Sequence, residues 1–386
     1  MHRSLAGLFV LTILVSLLTG CSHRRDSAIS ARSAIHVVNA DGSGMTSLSG
    51  SASNDAYPAW SPDGTRLAFV SGTDRDVSLI RADGTERSVL LNTLGDDYAP
   101  AWSPDGSRLA FMNDMEALYV VGADGSGMVK VEIGQSRPGL SLTPPASPQP
   151  HGDPAVAPDV PDLFAFMPDQ RPAWSPDGTK LLYADFDREH GFEIWVVNAD
   201  GSGQARLTDL PVSADTAFAP AWSPDGTRFA FTVNGNSGWG VFVSGATGQS
   251  PVRIAESAGG AGGAAWSPNG TQLVFAAFGP AEGGIYSANV DGSGMRLRAI
   301  GNGSEMEPVW SPDGAFIIFA GQDEGGSNAI GLPDGKATGL AIMIMRADGS
   351  GPMMLADTDG DDYQAVWSPI GDRIAFVSVE IIPYRD

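Results

Sequence analysis

Pro58-Ala59-Trp60-Ser61-Pro62-Asp63-Gly64-Thr65-Arg66-Leu67-Ala68-Phe69 is the stretch that decides the architecture. It reads as strand, turn, strand. Pro62 presets φ at the first corner, Asp63 tolerates the second, and Gly64 accepts the left-handed conformation that leads into the next strand. The apolar runs on either side are short and bounded by turn residues, the pattern of a hairpin. The phrase recurs at Trp102, Trp174, Trp222, Trp266, Trp310 and Trp367, each followed by Ser-Pro, then Asp, Asn or Ile, then Gly. Repetition of strand–turn–strand chemistry at a period in the forties predicts a β-propeller.

A second phrase alternates with the first. It reads Ala40-Asp41-Gly42-Ser43-Gly44 and returns around Asp83, Asp124, Asp200, Gly245, Asp291 and Asp348. Apolar runs such as Ile194-Trp195-Val196-Val197 precede it, so it is the turn between strands C and D of a four-stranded blade. The chain opens on a C–D hairpin (35–48) with no A–B hairpin before it. It closes on an A–B hairpin (365–377) with no C–D hairpin after it. Pairing the two ends gives a seven-bladed all-β ring that leaves no free edge between first and last blades. Six or eight blades would require one misjudged insertion.

The N-terminus carries a different signal. Met1-His2-Arg3 precedes an apolar run from Leu5 to Leu18, then Leu18-Thr19-Gly20-Cys21. A basic start and about 14 apolar residues form an export signal too short to span a bilayer. The last four residues resemble the bacterial lipobox, which implies cleavage before Cys21 and attachment of a lipid to its thiol. The expected organisation is a signal peptide (1–20), a tether (21–34) and a propeller (35–386), at the cell envelope on the periplasmic or outer-membrane side. Cys21 is the single cysteine, so no disulfide framework is expected.

Lys and Arg number 23 against 45 Asp and Glu, a net charge of -22. Such a surface repels nucleic acid and anionic lipid and favours basic partners. Much of the acidity falls in Asp-Gly turns.

Departures from the repeat fall on one face. The two turn types are uniform, so the face they share is structural. The opposite face carries the D–A and B–C loops, with insertions at about 134–171, rich in proline, and about 321–340. Its D–A loops hold an acidic–aromatic pattern: Asp55 and Tyr57; Asp96, Asp97 and Tyr98; Asp215; Glu305 and Glu307; Asp361, Asp362 and Tyr363. Strand A is innermost, so these loops surround one mouth of the channel. Two readings stay open: a carboxylate ring for a basic peptide or a cation, or caps that bond backbone N–H groups at the start of strand A. The Asp357–Asp362 segment is rich in oxygen ligands but lacks the EF-hand spacing. No cofactor is expected.

The repeat resembles those of the TolB propeller, over nearly everything from residue 35 onward. The resemblance implies a non-catalytic envelope protein that binds partner proteins at one mouth, among them a peptidoglycan-associated lipoprotein. Two features depart from that family: TolB has an α/β domain before its propeller, and it is soluble in the periplasm. Related propellers also gate peptidases, but no Gly-x-Ser-x-Gly turn or hydrolase domain is present. Histidines are few and lack metal-ligand spacing, and His190 marks the best place for a hidden site. The expectation is a monomeric scaffold for an envelope protein or basic peptide; the competing class is an envelope hydrolase or lyase, or a small-ligand sensor, on the same loop face.

Overall fold

The computed structural model describes residues 29–50, 54–93, 95–113, 117–133, 171–187, 191–210, 216–235, 238–257, 261–278, 283–300, 305–322 and 339–383. Cys21, the leader, Asp215, His190 and nearly all of both insertions lie outside them. Among the described residues no helix is long and apolar enough to cross a membrane.

Seven four-stranded antiparallel sheets form the ring. The first complete blade shows the pattern: β3 (Ala56–Trp60), β4 (Arg66–Ser71), β5 (Asp76–Arg81) and β6 (Ser88–Val89) lie side by side in chain order. The closing blade does not follow chain order. Its inner strands are β27 (Asp361–Trp367) and β28 (Arg373–Pro383), and its outer strands are β1 (Ile29–Asn39) and β2 (Thr46–Ser47). β1 pairs with β28 without interruption from Ile29↔Pro383 to Asn39↔Arg373. The strand starts at Ile29, so residues 29–34, expected in the tether, belong to the sheet. This long ladder joins the two ends of the chain.

Each residue of the Trp-Ser-Pro-Asp-Gly phrase has a physical task. The Ser61 hydroxyl donates to Asp63 Oδ1 at 2.6 Å, and Arg66 N donates to Ser61 Oγ at 2.9 Å. Thr65 N donates to Asp63 Oδ1 at 3.0 Å, and Gly64 sits at φ +68°. These bonds satisfy the turn internally. Pro and Gly then join neighbouring turns. A Cβ built on Gly106 would lie 3.5 Å from Pro62 Cδ, and one on Gly64 3.7 Å from Pro369 Cδ. The proline of one blade therefore packs on the glycine of the next.

Tryptophan and arginine complete the junction. Trp102 Nε1 donates to Ala59 O of the preceding blade at 3.1 Å, and Trp174 Nε1 to Ala101 O at 3.1 Å. The preceding blade returns an arginine over the indole: Arg66 lies 5.0 Å from the Trp102 ring centroid and Arg108 4.8 Å from that of Trp174. Arg108 Nη2 also donates to Gly178 O at 2.8 Å. The closing junction repeats this. Trp60 Nε1 donates to Val366 O, Arg373 stacks 4.9 Å from the Trp60 centroid, and Arg373 Nη2 donates to Gly64 O. Trp222, Trp310 and Trp367 bury their Nε1 without a hydrogen-bond partner, so the junctions are not equally strong.

The core lies between blades. Ile35 and Val37 from β1 pack with Trp60, Leu67, Phe69, Tyr363 and Val377 across the closing junction. Burial of this kind contributes about 1.5–3 kcal/mol per large apolar side chain.

The clamp at the closing junction is testable. Arg373→Ala removes a cation–π stack and a hydrogen bond and is expected to lower unfolding free energy by about 1–2 kcal/mol in urea titration. Lys180→Ala, at the same place in a blade but exposed, should change it by less than about 0.5 kcal/mol.

Candidate binding site at the loop side of the channel

Strand A carries a β-bulge in six of the blades. The ladder skips between Ala56 and Ala59, Tyr98 and Ala101, Phe218 and Ala221, Gly262 and Ala265, Met306 and Val309, and Tyr363 and Val366. In these six blades the residue three before the tryptophan takes a left-handed conformation: Tyr57, Ala99, Ala219, Glu307 and Gln364 have φ between 51° and 57°, and Gly263 has φ 65°. Left-handed backbone at a non-glycine residue is uncommon and locally unfavourable. Here it re-aims one residue per blade into the channel, as bulges do.

Five of these residues, Tyr57, Ala219, Gly263, Glu307 and Gln364, line a cavity of about 150 Å³ together with Arg171. Its polar side chains are Tyr57, Arg171, Glu307 and Gln364; Ala219 and Gly263 leave space, and Pro220, Pro308, Val309 and Val366 form apolar wall. Backbone and side chain interlock around the ring. Gln364 N donates to Glu307 Oε2 at 2.6 Å, and Tyr57 N donates to Gln364 Oε1 at 2.8 Å. The Arg171 guanidinium lies 5.9 Å from the Tyr57 ring centroid. The cavity thus presents cationic, anionic, aromatic and amide groups over an apolar floor, the make-up of a binding pocket.

The expected site residues divide into two groups. Tyr57 and Glu307 face this cavity. Asp96, Tyr98 and Asp361 are half-buried at the loop face. The Tyr98 hydroxyl donates to Asp96 Oδ2 at 3.3 Å, Arg75 stacks 5.0 Å from the Tyr98 ring centroid, and Leu340 N donates to Asp361 Oδ1 at 2.9 Å. The second group is buried: Asp55, Asp97 and Asp362 are 0% exposed, Glu305 3% and Tyr363 6%. Tyr363 is core.

The buried aspartates knit loops to strands. Asp97 N donates to Arg75 O of the preceding blade; its Oδ1 accepts from Thr93 Oγ1 and Asn113 Nδ2, both at 2.7 Å. Asp362 Oδ2 accepts from Thr358 N at 2.9 Å and Oδ1 from Thr358 Oγ1 at 2.7 Å. Asp55 Oδ1 pairs with Arg87 Nη2 at 3.2 Å. Asp97 and Asp362 each accept a backbone N–H, from Val77 and Thr358, whereas Asp55 accepts from a guanidinium. Within Asp357–Asp362, Thr358 occupies the Asp362 carboxylate. Among the described residues no group of three His, Cys, Asp or Glu is placed to hold a metal.

The polar face of the channel was missed by sequence reasoning at Arg171 and Gln364. The available signal was proline. Pro58, Pro100, Pro172, Pro220 and Pro308 stand two residues before their tryptophans, and proline within an inner strand marks a bulge. His36 stacks on Phe376 at 5.4 Å within the sheet, and burial lowers its pKa. Near His190, the described side chains are committed to the blade: Glu193 is 0% exposed and accepts from Leu210 N and the Thr208 hydroxyl.

Two classes of aspartate give the ring opposite pH responses. Burial pushes Asp97 up to about 6 and Asp362 up to about 7, against their hydrogen bonds. Folded pKa values above the unfolded value mean that the native state binds more protons, so each contribution weakens as pH rises from about 4 to about 7. The turn aspartates behave oppositely. Hydrogen bonds from Ser and Thr, largest first from Ser103, Ser175 and Ser223, lower Asp105, Asp177 and Asp225 to about 2. Their stabilisation is complete above the unfolded carboxylate pKa and is lost as pH falls toward about 2. Thermal stability is therefore expected to peak at about pH 4 to 5. Asp362→Asn should flatten the neutral side of the curve and leave the acid side unchanged, as read by calorimetry across pH.

Residues 166–340 match the family model of the TolB beta propeller domain. No curated protein matches the sequence. Solved structures of similar shape include a putative TolB from Agrobacterium tumefaciens, with TM-score 0.52 and 19% identity over 92% of this chain and 100% of that one. An oligogalacturonate lyase from Vibrio parahaemolyticus has TM-score 0.61 and 14% identity over 92% of this chain and 98% of that one. An oligogalacturonate lyase in complex with manganese has TM-score 0.60 and 12% identity over 92% and 96%. Identities this low speak for shape and not for chemistry. Residues 166–340 are thus similar to the TolB beta propeller domain, and the described residues form a seven-bladed β-propeller.

Proposed function

We propose that the ring is a non-catalytic scaffold of the cell envelope that holds a basic, extended segment of a partner protein at the loop-side mouth of its channel. One observation carries this reading. Six positions three before a tryptophan share the same left-handed, bulged backbone, yet they hold Tyr57, Ala99, Ala219, Gly263, Glu307 and Gln364, and the remaining blade sets Arg171 in the wall of the same cavity. The phrase beside them scarcely varies from blade to blade. Where the fold imposes no residue type, a mixed polar and aromatic set at a channel mouth is the mark of a ligand surface. Asp96 and Asp361 supply negative charge at the loops above, and a net charge of -22 steers basic segments toward the ring.

The partner-binding set is accordingly Tyr57, Asp96, Tyr98, Glu307 and Asp361, with Arg171 and Gln364 added. Lipid attachment at Cys21 would hold the ring at the membrane surface with this mouth free to reach a partner. An envelope location and an envelope partner, such as a peptidoglycan-associated lipoprotein, rest on the TolB-like repeat.

A photo-crosslinking residue at position 98, used in the native cell, tests the proposal. One enriched envelope protein is expected. Its yield should fall about tenfold in Asp96→Asn/Glu307→Gln/Asp361→Asn, a variant that keeps every acceptor oxygen used by the backbone and should stay folded. Equal capture by the variant would move the site elsewhere.

A second reading, a sugar lyase, draws on the lyase-like shape of the ring. Incubation with oligogalacturonate separates the two. The scaffold reading expects no unsaturated uronide product; its formation by wild type, and its loss in Arg171→Ala, would favour the lyase.

A further inference from the structure

The turn face, opposite the proposed mouth, contains one junction that breaks its own rule. At each junction the sixth residue after one tryptophan meets the Ser-Pro-Asp-Gly turn of the next blade. Arg108 bonds Gly178 O there, and Arg373 bonds Gly64 O. At six junctions the residue at the first position is polar and the third residue after the next tryptophan is Asp or Asn, as in Arg66 with Asp105 and Arg373 with Asp63. At the junction of the sixth and seventh blades the pair is Phe316 and Ile370. The two turns abut as elsewhere, since a Cβ on Gly371 would lie 3.5 Å from Pro312 Cδ.

Both side chains stand in solvent to an unusual degree for their size. Phe316 is 39% exposed and Ile370 is 76% exposed. The turn has also been rewired to do without an acid at 370. Ser368 Oγ donates to Asp372 Oδ1 at 2.6 Å, so Asp372 caps the serine that Asp63 caps in the first blade. An apolar residue in a solvated turn, with its structural task moved two residues along, calls for a reason outside the ring. Together, exposed Pro312, Ala315, Phe316 and Ile370 make an apolar patch on a face rich in turn aspartates, where Met45, Met128 and Met295 stand exposed singly.

The rim identifies the occupant. Asp313 and Asp372 are exposed beside the patch, and turn aspartates surround it on the same face. A second copy of this chain would bring the same acidic face against it, at a net charge of -22 per copy. We infer that the Phe316–Ile370 patch docks a segment of a partner protein that presents an apolar side chain flanked by lysine or arginine. This surface is separate from the channel mouth, so one ring engages two partners, or two parts of one.

The test is selection from a phage-displayed random dodecapeptide library on the purified ring, with counter-selection on Phe316→Arg/Ile370→Asp. That variant installs the side chains found at other junctions and should fold; Ile370→Ser serves as a milder second variant. Enriched peptides are expected to place Leu, Phe or Trp between basic residues. In fluorescence polarisation they should bind the double variant at least tenfold more weakly, and Asp96→Asn/Asp361→Asn as well as wild type. No enrichment over the double variant, equal binding to it, or enrichment of acidic sequences would overturn the proposal. A wild-type dimer in sedimentation that the double variant dissolves would also overturn it, assigning the patch to self-association.

Discussion

A tryptophan buried or half-buried at every junction between blades is the constraint on which the ring is organised, and at four junctions its indole N–H reaches a carbonyl of the blade before it. It fixes the spacing of neighbouring inner strands at the channel. The arginine laid across the indole, and the proline set on the next glycine, hold the same junction from the turn face. Each is a modest interaction, of about 0.5–1.5 kcal/mol. Their repetition around a closed ring makes them decisive, because no blade can tilt without straining both neighbours. Closure matters as much as repetition. The eleven-residue pairing of β1 with β28 brings the termini into one sheet, and the Trp60–Arg373 clamp seals the junction beyond it.

This arrangement divides the molecule by task. The turn face is bound by internal geometry: Ser caps, Asp accepts, Gly takes the left-handed corner. The inner strands are free between their bulge and their tryptophan, because what the fold requires there is a backbone conformation and not a side chain. Five non-glycine residues accept a left-handed φ at that position. That local strain is tolerated because the flanking ladders over-determine it. Its product is an uneven set at the channel, with Tyr57, Glu307 and Gln364 reaching the cavity where other blades place alanine or glycine, which is the physical basis of the binding proposal.

Most of the fold was legible in the chain. Trp-Ser-Pro-Asp-Gly and Asp-Gly-Ser-Gly alternate strictly, and each encodes a turn by backbone chemistry that tertiary context rarely overrides. The unpaired hairpins at the two ends carried the closure. The site was legible only in part. The loops before each tryptophan were readable as acidic, but sequence does not separate a carboxylate that caps a strand from one that faces solvent. Asp97 and Asp96 are neighbours with opposite fates, because strand alternation and the bulge turn one inward and leave the other half-exposed. Arg171 and Gln364 stayed hidden because the bulge was not inferred; proline two residues before the tryptophan accompanies it in four blades, but Ala365 holds that place beside Gln364, and the Pro172 blade shows no bulge among the described residues.

The central claim is that the loop side of the channel, and not the body of the blades, receives a partner. Hydrogen–deuterium exchange on the ring, alone and with the protein captured at Tyr98, examines it most directly. The account predicts slowed exchange in the D–A loops and in the inner-strand amides around Tyr57, Glu307 and Gln364, with the β1–β28 ladder unchanged. Slowed exchange confined to outer strands, or no change at the mouth, would contradict it.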